Sequence, residues 1–128
     1  ITAEQIPEAL DLAVMDVSFI SIRLVLPAVK ALLKPEADLI CLIKPQFEAG
    51  REAVGKKGVV RDVKVHEEVV RGILDFAPGI GLSVQGLDFS PIKGPEGNIE
   101  YICWMKNSAA PSAAIDVAAV VAASHEAL

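Results

Sequence analysis

The feature that most constrains this chain is a series of short, continuous apolar runs separated by stretches of helical spacing. Residues 11–19, Asp-Leu-Ala-Val-Met-Asp-Val-Ser-Phe, form the first run. It is too short for a core helix and rich in β-forming side chains, so it reads as a strand buried on both faces. Ser21 to Leu33 then places Ile22, Val25, Leu26, Val29 and Leu32 on one helical stripe. Pro27 falls inside that stretch, so the helix is kinked there or begins later. Leu39 to Ile43 is a second apolar run, and Lys44 should be extended at its end because Pro45 follows. Residues 46–62 are rich in glycine and charge and read as a long loop. A helix is expected over Val63 to Phe76, a strand over Leu82 to Phe89, a tight loop over 91–97 and a strand over Ile99 to Met105. The alanine-rich tail, Ser112 to Leu128, reads as helix.

Strands joined by helices pair in parallel through right-handed crossovers. The last two strands are linked by a loop too short for a crossover, so the last one runs antiparallel. The expected fold is α/β, a mostly parallel sheet with one antiparallel C-terminal strand. The domain itself is expected over 1–107, followed by an alanine-rich helix or tail over 108–128.

The 128 residues suit one domain, and with 52% of them apolar a real core is available. Charged residues make up 23%, which excludes a disordered tail. No apolar stretch reaches the length of a membrane span. The start, Ile-Thr-Ala-Glu-Gln, has neither the basic nor the apolar region of a signal peptide. It also lacks methionine, which reads as a piece of something longer. Cys41 and Cys103 each sit in an apolar run and read as buried thiols in a reducing cytosol. The net charge of −5 counts against a nucleic-acid binder, which is usually basic overall, so the distribution of charge has to decide.

In open α/β sheets ligands bind outside the carboxyl ends of the parallel strands. Asp16 lies near the end of the first strand, Lys44 ends the second and Ser90 follows the third. The antiparallel strand starts where its neighbour ends, so Asn98 and Glu100 fall on the same rim. Each residue has an ordinary alternative. An aspartate after a strand often caps the next turn, a lysine there is commonly a solvated rim residue, and Glu100 could face outward on an edge strand. Their convergence on one rim is what favours function. Other chemistries lack their motifs: there is no Gly-rich phosphate loop ending in Gly-Lys-Ser/Thr, no zinc spacing and no nucleophile elbow. His66, in a charged helix, and His125, in the tail, are expected to be solvated.

Four segments in order, Met-Asp-Val-Ser-Phe-Ile-Ser (15–21), Leu-Ile-Lys-Pro-Gln-Phe-Glu (42–48), Gly-Val-Val-Arg-Asp (58–62) and Gly-Pro-Glu-Gly-Asn-Ile-Glu-Tyr (94–101), resemble the TlyA family, often labelled hemolysin A, whose catalytic domain is FtsJ-like. The resemblance covers about residues 8–106. It implies the C-terminal half of a Rossmann-like methyltransferase domain, with S-adenosyl-L-methionine as methyl donor and a ribose 2′-hydroxyl of ribosomal RNA as acceptor, in the cytoplasm. Of the family's Lys-Asp-Lys-Glu tetrad, the aspartate falls on Asp16, the second lysine on Lys44 and the glutamate on Glu100. The first lysine, the glycine-rich cofactor loop and the family's S4-type RNA-binding domain would lie upstream. Asp16, Val17, Ser18 and Phe19 would line the cofactor's methionine end. Lys44 could take the hydroxyl proton only with a pKa well below the ordinary value of about 10.4. Carboxylates oppose that shift, so Asp16 and Glu100 are expected to orient Lys44 and the substrate.

Between Gly50 and Arg61 the chain carries Arg51, Lys56, Lys57 and Arg61 against Glu52. A basic loop beside the catalytic rim suits contacts to the phosphates of ribosomal RNA or a ribosomal subunit; a solvated loop accounts for the same residues. Two competing functions are a hemolysin-type membrane-active protein, for which no strongly basic amphipathic helix is present, and a truncated, non-catalytic half-domain that binds a partner. No metal is expected. The first strand would lack a neighbour, leaving an apolar edge through which copies could associate.

Overall fold

The computed structural model describes residues 10–16, 21–48, 62–93 and 97–127. Four strands, β1 (Leu10–Met15), β2 (Leu33–Ile43), β3 (Ser83–Phe89) and β4 (Tyr101–Lys106), form one sheet in the order β1-β2-β4-β3. β1 pairs parallel with β2, whereas β4 pairs antiparallel with both β2 and β3. Three strands therefore point one way and β4 opposes them. The expectation of a mostly parallel sheet does not hold: the sheet is mixed, and most of its pairings are antiparallel. The short β3–β4 connection makes a hairpin, as expected, and β4 inserts between β2 and β3. That one insertion makes two of the three pairings antiparallel.

Between β1 and β2 the chain makes a 3₁₀ turn, Ile22–Leu24, and then a five-residue helix α1 (Leu26–Lys30). The helix begins late because Pro27 sits in its first turn, where a missing N–H costs nothing. β2 starts earlier than its apolar run. Its register to β1 jumps from Leu10↔Leu33 to Leu12↔Asp38, and Glu36 takes a φ of 65°. Asn107 fastens this excursion: its Nδ2 donates to the carbonyls of Leu33 and Lys34, both at 3.1 Å. The segment read as loop after Lys44 opens with a single helical turn, α2 (Pro45–Glu48).

Helix α3 (Val63–Gly79) begins at Asp62, whose Oδ1 accepts from the Lys64 amide at 2.8 Å. It buries His66, Val69, Val70, Ile73 and Ala77, a stripe at helical spacing. Gly72 on this helix leaves room for the Arg23 guanidinium, into which a Cβ would run. Gly81, at φ +80°, turns the chain from α3 into β3 in a conformation that only glycine adopts without strain. The helix expected from Ser112 begins only at Val117: Asp116 caps α4 (Val117–Ala127) by accepting from the Ala119 amide at 3.0 Å.

The core lies on one face of the sheet, where Met15, Leu39, Cys41, Ile43, Tyr101, Cys103 and Met105 are buried. Cys41 and Cys103 sit opposite each other across β2 and β4 as buried free thiols. Helices α3 and α4 close this face through a polar cluster. The Tyr101 hydroxyl lies 2.9 Å from His66 Nδ1 and 2.9 Å from Ser124 Oγ, and His125 Nε2 lies 3.0 Å from His66 Nδ1. His66 is thus fully buried, not solvated, because position 66 belongs to the apolar stripe of α3. His125 is half-buried beside it. On the opposite face Ile40, Leu42 and Ile102 are half-buried. Leu12 and Val14 there are 56% and 74% exposed. Among the described residues β1 is the sheet's edge strand.

Candidate active site

Three chain segments deliver side chains to the rim where β1 and β2 end. Ile43 of β2 is in register with Tyr101 of β4, which is also in register with Phe89 of β3. One residue further on, Lys44 leaves β2 and Glu100 enters β4, so strand order alone makes them neighbours. The backbone is fixed there as well, since the Ser90 amide donates to the Glu100 carbonyl at 2.8 Å. Lys44 and Glu100 are each 8% exposed, and Asn98 is 2% exposed. Glu100 is not an outward-facing residue, because β4 is internal to the sheet.

Asp16, the residue after β1, forms an ion pair with Lys44: Nζ donates to Asp16 Oδ1. The pair is lopsided, with 10% of the lysine side chain and 58% of the aspartate side chain exposed. Asp16 therefore anchors the ammonium from the open side of the rim. The sequence-predicted trio is brought together through β1, β2 and β4.

Two further residues belong to this rim, and both come from α2. Gln46 Nε2 donates to Glu100 Oε2 at 3.0 Å. Glu48 ties α2 back to the segment after β1: its Oε2 accepts from Ser21 Oγ at 2.5 Å and its Oε1 from the Ile22 amide at 2.7 Å. Glu48 thereby caps the 3₁₀ turn from 26 residues away. Both residues lie in the Lys-Pro-Gln-Phe-Glu segment, where a turn after Pro45 was the one available signal. Val17, Ser18 and Phe19, expected against the cofactor, and Arg51, Lys56, Lys57 and Arg61, expected against RNA, lie outside the described residues. Among the described residues no cluster of His, Cys, Asp and Glu could hold a metal ion. No described helix is long and apolar enough to cross a membrane.

The rim thus offers a nearly buried amine held by one exposed carboxylate, beside a buried carboxylate held by an amide. Such a set can grip a small polar group from several sides and move a proton at Lys44 Nζ.

Comparison with known proteins gives this arrangement a family. Residues 1–107 match the model of the FtsJ-like methyltransferase family. Over 92 residues the chain is 54% identical to a Bacillus subtilis protein named as the rRNA methyltransferase YqxC, covering 72% of this chain and 33% of that one. Over 106 residues it is 41% identical to the 16S/23S rRNA (cytidine-2′-O)-methyltransferase TlyA of Mycobacterium tuberculosis, covering 83% of this chain and 40% of that one. A solved Streptococcus thermophilus structure titled as a hemolysin superposes with a TM-score of 0.91 at 40% identity, covering 98% of this chain and 46% of that one. The chain spans less than half the length of each of these relatives. With its rim of Asp16, Lys44 and Glu100 described and its family model matched over most of its length, the chain belongs to the FtsJ-like methyltransferases.

Proposed function

We propose that the protein carrying this chain transfers a methyl group from S-adenosyl-L-methionine to a ribose 2′-hydroxyl of ribosomal RNA, and that this chain supplies the acceptor side of a Rossmann-like catalytic domain. The observation that carries the reading is the junction of Asp16, Lys44 and Glu100 on one rim, in a chain similar to a named cytidine-2′-O-methyltransferase. A cytidine is accordingly the acceptor nucleotide we favour, and the cytoplasm, where ribosomes are made, the place of action.

The described residues fit one end of the cofactor. Its methionine end is cationic, and Asp16 presents a carboxylate, 58% exposed, at the open side of the rim. When bound, the cofactor supplies a methyl group on a sulfonium. This chain's residues then have two tasks. Lys44, in its neutral form, accepts the hydroxyl proton at Nζ, which turns a poor nucleophile into a competent one. Asp16 and Glu100 hold Lys44 and the hydroxyl in line with the methyl group, and such positioning supplies much of the rate. Val17, Ser18 and Phe19 follow Asp16 along the cofactor, while Arg51, Lys56, Lys57 and Arg61 contact RNA phosphates.

The test is methyl transfer from labelled cofactor to ribosomal subunits by the full-length protein. Lys44→Ala should lower turnover by about 10²–10⁴-fold, the range for a lost proton acceptor, with the circular dichroism spectrum unchanged. Turnover near that of the wild type would sink the mechanism. Reversing Lys56 and Lys57 to glutamate should weaken RNA binding and flatten its salt dependence by about one unit of slope per lost phosphate contact. An unchanged slope would remove the loop from the RNA interface.

A further inference from the structure

Gln46 stands at the centre of the rim, two residues past Lys44, and its amide spans from α2 to β4. Its nitrogen faces Glu100, with Nε2 3.0 Å from Oε2. An ionised carboxylate only accepts hydrogen bonds, so the amide nitrogen must be the end that meets it. The orientation of the Gln46 amide is thereby fixed, and its oxygen points the other way. That oxygen, Oε1, is buried and has no hydrogen-bond partner among the described residues. A buried acceptor without a donor is costly to keep and is rare in folded proteins. Here it lies beside Lys44 and Glu100, the two nearly buried members of the rim.

The geometry points to Gln46 as a substrate-binding residue whose Oε1 accepts a hydrogen bond from the acceptor nucleotide while Glu100 holds the amide in place. The inference rests on the methyl-transfer reading and deepens it. A nucleotide inside an RNA chain has its 3′ oxygen esterified, so it offers two kinds of donor: the 2′-hydroxyl and the N–H groups of its base. Both chemistries satisfy Oε1. In the first case Gln46 helps hold the reacting hydroxyl. In the second it reads the base, and the exocyclic amine of cytosine presents a donor where uracil presents a carbonyl.

The experiment uses the full-length protein and a ribosomal RNA fragment that it methylates at a cytidine, alongside the same fragment with uridine at that position. Gln46→Met keeps the length of the side chain and removes both polar ends. Its kcat/KM on the cytidine fragment should fall ~10- to 100-fold, the range for an unpaired buried partner. An equal loss of kcat on both fragments assigns the contact to the 2′-hydroxyl. A loss confined to cytidine, with selectivity over uridine collapsing, assigns it to the base amine. Gln46→Glu keeps the shape and sets a second carboxylate against Glu100. Like charges raise one another's affinity for protons, so the acid limb of its pH–rate profile should move to higher pH. Thermal midpoints of both variants separate a merely structural role. A lowered midpoint with kcat/KM unchanged on both fragments overturns the proposal, as does an unmoved pH profile for Gln46→Glu. Failure of the wild type to methylate either fragment would sink the methyl-transfer reading and this inference with it. An active wild type with an indifferent Gln46 sinks the inference alone.

Discussion

Asp16→Asn and Lys44→Met should both end methyl transfer, yet they should affect stability differently. The ion pair they dissolve has one end in water and one end in the protein: 58% of the aspartate side chain is exposed against 10% of the lysine side chain. Breaking a fully buried pair by removing one partner costs about 3–5 kcal/mol, because a buried charge is left uncompensated. Asp16→Asn removes one carboxylate from a nearly buried ammonium that keeps Glu100 on the same rim and a tenth of its side chain in water. The expected cost is about 1–3 kcal/mol. Lys44→Met retains the stem but takes the cation away from Glu100, a carboxylate only 8% exposed, as well as from Asp16, so its cost should be larger, about 2–4 kcal/mol. Once the lysine is gone the exposed Asp16 carboxylate has no ion pair to lose, so the double variant should match Lys44→Met to within about 0.5 kcal/mol. Urea unfolding of the four proteins at equal m-value reads these differences, and labelled-methyl transfer reads activity in parallel. If Asp16→Asn costs nothing, or the double variant loses the sum of the two, Asp16 is not what compensates the buried lysine.

Two further outcomes follow from the sheet's edge and from the helix that closes the core. The 128-residue chain should elute in dilute sizing runs above its 13.5 kDa mass, because β1 is an edge strand with Leu12 and Val14 exposed. Val14→Lys should shift it to the monomer position, and a clean monomer without the substitution would count against edge association. Burial holds the His125 pKa below its ordinary 6.5, opposed by the charge of Asp62. The unfolded chain therefore takes up this proton at a higher pH than the folded one, so the group's contribution to stability is full above about 6.5 and is lost as pH falls from there through the folded value. His125→Gln should flatten that part of the stability–pH curve, and an unchanged acid limb would show that another group carries it.

The rim was legible in the sequence because it needed only the direction of each strand. Asp16, Lys44 and Glu100 each flank an apolar run, and such runs announce themselves without any side-chain contact. Strand adjacency was less accessible. Nothing in the apolar runs distinguishes a β4 outside β3 from a β4 between β2 and β3, since the hairpin loop is the same in both. His66 was misread because the charges around it, Lys64, Glu67 and Glu68, dominate a local view. Its spacing to Val69, Val70 and Ile73 was the better guide. Gln46 and Glu48 escaped notice because their partners, Glu100 and Ser21, lie 54 and 27 residues away. Only the folded chain brings those polar ends together.

The strand order that the apolar runs left open is also what completes the site. With β4 on the far side of β3, Glu100 would have entered the sheet a strand's width further from β2, and the amide of Gln46 could not have reached it. Inserted between β2 and β3, β4 puts Tyr101 in register with Ile43. The preceding residue, Glu100, is thereby set beside the turn that carries Lys44 and Gln46. The same register turns the Tyr101 side chain into the core, where its hydroxyl meets His66 and Ser124. Consecutive residues of one strand thus face opposite demands: Glu100 serves the rim and Tyr101 fastens the two helices beneath it. A shift of one residue in the pairing of β4 would exchange those faces. It would bury a carboxylate among α3 and α4 and leave Lys44 without its second carboxylate neighbour. The polar cluster under the sheet therefore acts on the rim at a distance, by holding β4 in the one register that places Glu100 there.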